Sequence, residues 1–385
     1  MKNFIINPFF YYGLSFTFVI FLYNFMWSDL FLPMSLELTA FIFFTILFSL
    51  FALLTFNKVI ADKRKILISE VEKRQVLYLL SFLIFSLILE FAYHGLIPLI
   101  LVVKGIDYDY TQFGIPVFHV FLLSYVTLLG VLYFYRYLVY KKKYYLYIFY
   151  FSLIFSLLIV NRGTLVFIVL SAIIAYSSIN FKFLKFFKIF VTIILFIFLF
   201  GVLGNLRMVS SGYSDKDAIL KIGQASNSYL KLNLPTETFW AYLYLTSPYA
   251  NLENEVKRRE INYQYQFDTY VIYEILPDFI SKRFNMQNSK SNLLTDELNV
   301  NTMYGDSINK MGFTGAFGLF LWYIFSILLT PKLINKEYFV PTMILLSTLS
   351  CLLVFSNVLK FSGFVFQFFI LICFSHFKFK QITLL

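Results

Sequence analysis

LELTAFIFFTILFSLFALLTF, Leu36 to Phe56, carries one charged residue, Glu37, in its first turn, and otherwise runs through apolar and hydroxyl side chains. As a helix rising about 1.5 Å per residue it spans roughly 30 Å, the thickness of a bilayer's hydrocarbon core. Only a structure that satisfies its own backbone hydrogen bonds can sit there, and a helix does so within one segment.

The same pattern recurs along the 385-residue chain. Hydrophobic residues make up 59% of it, aromatics 22% and charged residues 14%, a balance that excludes an ordinary soluble domain. Apolar segments at Phe9–Met26, Leu36–Phe56, Gln75–Tyr93, Val117–Leu138 and Tyr145–Val160 predict five helices. Thr164–Ser178, Phe187–Leu206, Met311–Thr330, Tyr338–Asn357 and Gly363–Phe377 predict five more. The expected fold is an all-α, polytopic membrane protein of about ten spans. A block over 1–206 precedes a large hydrophilic loop at 207–310, and a three-helix block at 311–385 follows. The first helix reads as a retained anchor, because Trp27-Ser28-Asp29 offers no small-residue cleavage site.

Basic residues set the orientation. With the N-terminus inside, 18 of the 32 Lys and Arg residues fall in the inner segments, and the short outer loops hold only Lys104, Arg162 and Lys360. This is the bias expected of cytoplasmic termini. The 207–310 stretch then faces the exterior or periplasm, and the net charge of +11 is a topology signal rather than a sign of nucleic-acid binding. Within that stretch, TFWAYLYLTSPYANL (Thr238–Leu252) and TYVIYEILPDFI (Thr269–Ile280) suit amphipathic helices at the membrane surface, and Ser281–Asn301 reads as a flap.

Five of the eight arginines, Arg162, Arg207, Arg258, Arg259 and Arg283, lie outside. A guanidinium grips phosphate or carboxylate oxygens through two parallel hydrogen bonds, so this placement suggests an external anionic ligand. Interfacial snorkelling is the alternative for Arg162 and Arg207, and a solvated helix face for Arg258 and Arg259, which acidic residues intersperse. LEFAYHGLIPL puts Glu90 and His94 four residues apart on one helical face, and His119 enters the next helix at similar depth. Ionisable groups in a membrane segment face a cavity, a partner or the interface, so these are candidate proton acceptors or a structural hydrogen bond between helices. Glu237 and Asp306 flank the long loop and serve either as further bases or as helix caps.

Trp240, Tyr242 and Tyr244 suit an interfacial belt better than sugar stacking. Asp107 with Asp109, and Asp215 with Asp217, have a spacing too common to assign a metal, so none is expected. Gly312, Gly315 and Gly318 read as a close-packing stripe. Cys351 and Cys373 lie within apolar helices, and neither a P-loop nor a dinucleotide fingerprint is present.

The E-x-x-x-H-G-x-IPL segment, the following YxQFGIP, the NRG at Asn161–Gly163, the GNLR ending at Arg207 and NTMYGDSINKMGFTGAFG at Asn301–Gly318 together resemble the O-antigen polymerases, the Wzy group. The resemblance implies an inverting, metal-independent glycosyltransferase of the GT-C type, needing no cofactor, in the bacterial inner membrane. Its substrate would be an undecaprenyl diphosphate-linked oligosaccharide at the periplasmic face. The arginines would bind the diphosphate, and one of Glu90, His94, His119, Glu237 and Asp306 would act as base. A flippase and a chain-length regulator are the partners it implies. Two rivals stand beside it: a ligase passing the glycan to another acceptor, and a flippase or transporter of the lipid-linked sugar. Nearly charge-free helix centres disfavour the transporter.

Overall fold

The computed structural model describes residues 3–64, 67–104, 113–180, 201, 218–258, 265–284, 286–288, 291–295 and 297–376. Among these residues there are ten helices of thirteen residues or more and no strand. They are α1 (Pro8–Tyr23), α2 (Leu36–Lys63), α3 (Lys73–His94), α4 (Phe118–Tyr140), α5 (Leu146–Leu158), α6 (Arg162–Asn180), α7 (Thr236–Arg258), α8 (Gly305–Leu333), α9 (Phe339–Leu352) and α10 (Ser362–His376). Five of them, α2, α3, α4, α6 and α8, are long and apolar enough to cross a membrane. The chain is an all-α membrane protein. The expected helix at Phe187–Leu206 lies outside the described residues except for Gly201, as do Arg207, Arg259 and both Asp-x-Asp pairs.

Helix boundaries follow local chemistry. Asn7 accepts the Phe9 N–H at 3.1 Å and Pro8 takes the first helical position, so α1 starts there. Gly95, at φ +75°, ends α3 by donating its N–H to the Phe91 carbonyl at 2.8 Å. In α2 the buried positions Leu38, Ile42, Thr45, Ser49, Ala52, Phe56 and Ile60 step by three or four residues, while Phe43, Leu47, Phe51 and Leu54 stay exposed. That is the inverse of a soluble amphipathic helix. The small and hydroxyl residues Thr45, Ser49 and Ala52 face the protein among larger apolar ones, and the exposed bulky residues suit lipid. The inner face is then stitched by hydrogen bonds, for instance Tyr12 Oη to Thr45 at 2.8 Å and to Tyr304 Oη at 2.5 Å.

At the centre lies α9, almost wholly enclosed by α1, α6, α4 and α8. It covers only the first part of the expected Tyr338–Asn357 span and rises about 21 Å, less than the hydrocarbon thickness. The chain leaves the helix after Leu352 because the following residues are engaged elsewhere. The Leu353 carbonyl accepts the Met303 N–H at 2.9 Å, and the Asn357 amide donates to the Glu274 carbonyl at 2.8 Å.

The two ends of the bundle differ. At the basic end, Arg64 at the close of α2 donates to Asn3 and to the carbonyl of Ser178 near the end of α6. Lys63 stands over the Phe339 ring at the start of α9, and Arg136 and Tyr140 of α4 donate to the carbonyls of Ser69 and Ile68. The opposite end carries α7. Pairs Phe121–Phe366, at 4.4 Å, and Tyr125–Phe374 show α4 and α10 running parallel away from it.

There, Trp27 N–H donates to Tyr242 Oη at 3.1 Å and Ser35 N–H to Glu253 at 2.7 Å, fastening the α1–α2 connection under α7. Residues 291–295 and 297–300, within the Ser281–Asn301 stretch expected as a flap, are likewise fastened. Asn251 donates to the carbonyls of Leu298 and Val300 and accepts from Leu294, and Glu255 accepts from Asn292 at 2.6 Å. The residues that hold them lie about forty positions upstream, on one face of α7.

Candidate functional site

Two ionisable clusters form at the α7 end. In the first, the carboxylate of Glu90, four residues before the end of α3, is fully buried, and His119 Nδ1 lies 3.0 Å from both of its oxygens. His119 keeps 16% side-chain exposure. The expected neighbour His94 is not the partner. The Phe113 ring stands between the two imidazoles, edge-on at 5.2 Å to His94 and 5.4 Å to His119.

The QFGIP motif explains how His119 is held. Gly114 sits at φ +92°, and a Cβ on it would lie 2.6 Å from the imidazole ring, so only glycine lets the ring close on this turn. Val117, at φ +69°, precedes α4 in a conformation rare for a β-branched residue. Backbone strain next to a buried, hydrogen-bonded carboxylate is a feature of functional sites.

The second cluster centres on Glu274, in the π-helical turn Val271–Ile275. Its carboxylate accepts from Lys310 at 3.0 Å and from Lys360 at 2.8 Å; Glu274 and Lys310 are buried and Lys360 is partly exposed. Asp306, in the first turn of α8, lies 3.8 Å from Lys360 and accepts the Ser291 N–H at 3.0 Å. The glycine stripe shapes this region. Gly312 breaks α8 at φ +63°, which frees the Lys310 carbonyl to accept from Gln266, and Tyr270 packs against Gly315 and Gly318, donating to the Gly315 carbonyl at 2.8 Å.

Arg162 is the first residue of α6 and is exposed. Its flanks are structural. The Asn161 side chain accepts the Thr164 N–H at 3.1 Å, capping the helix, and Thr164 donates to Ser156 across the α5–α6 hairpin. Tyr244 of α7 feels the Arg162 charge and packs on Phe355 at 6.0 Å, two residues from Asn357. Tyr244 and Phe355 thus lie between Arg162 and Asn357 of the second cluster.

Glu237 stands at the start of α7, where its carbonyl would be 2.5 Å from a Cβ on Gly201. Arg258 and Arg283 are exposed, at the end of α7 and just past the short helix Asp278–Ser281, and neither joins the two clusters. Tyr242 is core rather than belt, buried against Trp27 and Phe31. Among the described residues no group of three His, Cys, Asp or Glu side chains is placed to hold a metal ion.

Sequence reasoning missed Glu274, Lys310, Lys360 and Asn357. Lys360 read as a topology marker and Glu274 as one polar position of an amphipathic helix. A lysine embedded in the glycine-rich NTMYGDSINKMG was the available signal. Comparison with known protein families, with curated proteins and with solved structures gives no match.

Proposed function

We propose that this chain is a polymerase of lipid-linked glycans. It takes an undecaprenyl diphosphate-linked oligosaccharide as donor and joins it to a second repeat unit, building O-antigen or a related surface polysaccharide at the outer face of a bacterial inner membrane. In this reading the chain crosses the membrane about ten times, both termini are cytoplasmic, and the α7 end faces the periplasm.

One observation carries the proposal. In α1–α6 and α8–α10 every Asp, Glu, Lys, Arg and His lies within six residues of a helix end, and the α7 end combines the exposed Arg162 and the partly exposed Asp306 with two buried carboxylates. A headgroup-level reaction needs cation, base and apolar helices in that arrangement, whereas a pathway through the bundle needs charge along its length. The acceptor hydroxyl attacks the anomeric carbon, the bond to the diphosphate oxygen breaks, and the pair leaves with the lipid diphosphate. Arg162 stabilises the charge growing on that leaving group, and Arg207 is its expected companion.

The test is a gel of surface glycan from the host with the gene deleted, then restored as wild type or as Arg162→Ala. Collapse of the ladder to a single repeat unit, rescued by the wild type alone, supports the polymerase and the role of Arg162. An intact ladder in the deletion removes the proposal, and loss of even the single unit points to a flippase.

A further inference from the structure

We infer that Glu90 and His119 form a proton-accepting dyad in which the imidazole Nε2 is the base for the acceptor hydroxyl. This assignment rests on the glycan-polymerase reading and singles out His119 among its candidate bases.

The geometry separates the two roles. Glu90 is buried with both carboxylate oxygens at 3.0 Å from Nδ1, so it holds the ring from one side and has no exposed surface for substrate. Nδ1–H donates to the carboxylate. That fixes the tautomer and leaves the Nε2 lone pair as the free acceptor of the pair. His119 is the partly exposed member of the two. Phe113 packs edge-on against the ring and Gly114 lies against its Cγ and Nδ1, so the imidazole is clamped at its Nδ1 side.

A relay of ring contacts leads from the dyad toward the second cluster. Phe121, two residues past His119, packs on Phe366 at 4.4 Å, and Phe366 packs on Phe279 at 4.9 Å. The Phe279 N–H donates at 3.0 Å to Ser362, two residues from Lys360.

In the step, the hydroxyl proton passes to Nε2 as its oxygen forms the bond to the anomeric carbon. The pair from the broken bond stays on the departing diphosphate, and the imidazolium that forms is stabilised by the Glu90 carboxylate. His119 is thus the catalytic residue and Glu90 a positioning residue. A buried carboxylate paired to an imidazole also fits a purely structural tie between α3 and α4, and the variants separate these roles.

The experiment uses the full chain in lipid nanodiscs with a purified undecaprenyl diphosphate-linked repeat unit, following chain extension. His119→Gln retains an amide N–H for Glu90 but cannot take a proton. It is expected to keep its thermal stability and lose 10²-fold or more in kcat, about the contribution of a general base, as is His119→Ala. Added imidazole is expected to restore part of the His119→Ala rate. Glu90→Gln is expected to lower kcat with KM unchanged.

A stable His119→Gln variant extending chains at the wild-type rate overturns the dyad and leaves the polymerase reading standing. A wild-type protein that extends no chain on this donor overturns both.

Discussion

Lys310, with no exposed side-chain surface, donates at 3.0 Å to Glu274, itself 1% exposed, and Lys360 reaches the other oxygen of the same carboxylate at 2.8 Å. One carboxylate thus answers two cations, and it ties the kinked start of α8 to the turn that precedes α10. Replacing Glu274 by Gln keeps the shape but removes the charge that holds a buried lysine. Breaking a buried ion pair from one side costs about 3–5 kcal/mol. We expect Glu274→Gln to lower the midpoint of thermal unfolding in detergent sharply, and an unchanged midpoint would show that the network contributes nothing to stability.

Gly114→Ala tests the clamp on His119. At φ +92° an alanine carries strain of roughly 1–2 kcal/mol, and its Cβ would drive into the ring at 2.6 Å. The expected result is a folded protein with a modest drop in unfolding midpoint and a severe loss of chain extension. Retained activity would mean that the ring's position is unimportant.

The helices were legible in the sequence, and the sites only in part. Nine of the ten expected segments overlap helices, six of them to within three residues at each end, because a run of apolar residues in a chain such as Leu36–Phe56 leaves the backbone no other way to bond. Arg162 was visible for a similar reason, as a charge at a helix end with too few basic neighbours. The pairing of Glu90 with His119 rather than His94 was not, since spacing on one helix ranks a neighbour four residues away above one 29 residues away across a turn. Glu274 with Lys310 and Lys360 was hidden more deeply. Their meeting requires the break at Gly312 and the early end of α9 at Leu352, both set by tertiary contacts.

Arg162→Lys probes the chemistry of the exposed cation. Lysine keeps the charge beside Tyr244 but offers a point donor in place of a planar fork. Asn161 and Thr164 continue to cap α6, so the fold is expected to be unaffected. Chain extension is expected to fall by at least tenfold, read as shortened glycan ladders in the complemented deletion strain. Full-length ladders would count against bidentate grip on a diphosphate.

Asn251 fixes the segment that runs along α7. Its amide donates at 2.6 and 2.8 Å to the carbonyls of Leu298 and Val300, and its oxygen accepts from Leu294 at 2.9 Å. Asn251→Ala removes the partner of three backbone groups, of which the Leu298 carbonyl is buried and costs about 1–3 kcal/mol when left unpaired. The segment is expected to detach before the bundle unfolds, so brief proteolysis should cut between Ser291 and Val300 in the variant and not in the wild type. Equal resistance in both would show that α7 does not hold it.

Glu253 gives the α7 end a pH dependence. Burial pushes its carboxyl above the ordinary carboxylic acid range, against the lowering effect of the Ser35 N–H and Lys257, and its Oε2 has no hydrogen-bond partner among the described residues. The folded chain therefore holds this proton more tightly than the unfolded chain, and the stabilisation is complete below the ordinary carboxylate value. It is lost as pH rises through the elevated one. Glu253→Gln keeps the oxygen that accepts from Ser35 and removes the titration. Unfolding midpoints measured across mildly acidic pH should fall with rising pH more steeply in the wild type than in this variant, and parallel curves would mean that Glu253 is ionised at no cost in the folded chain.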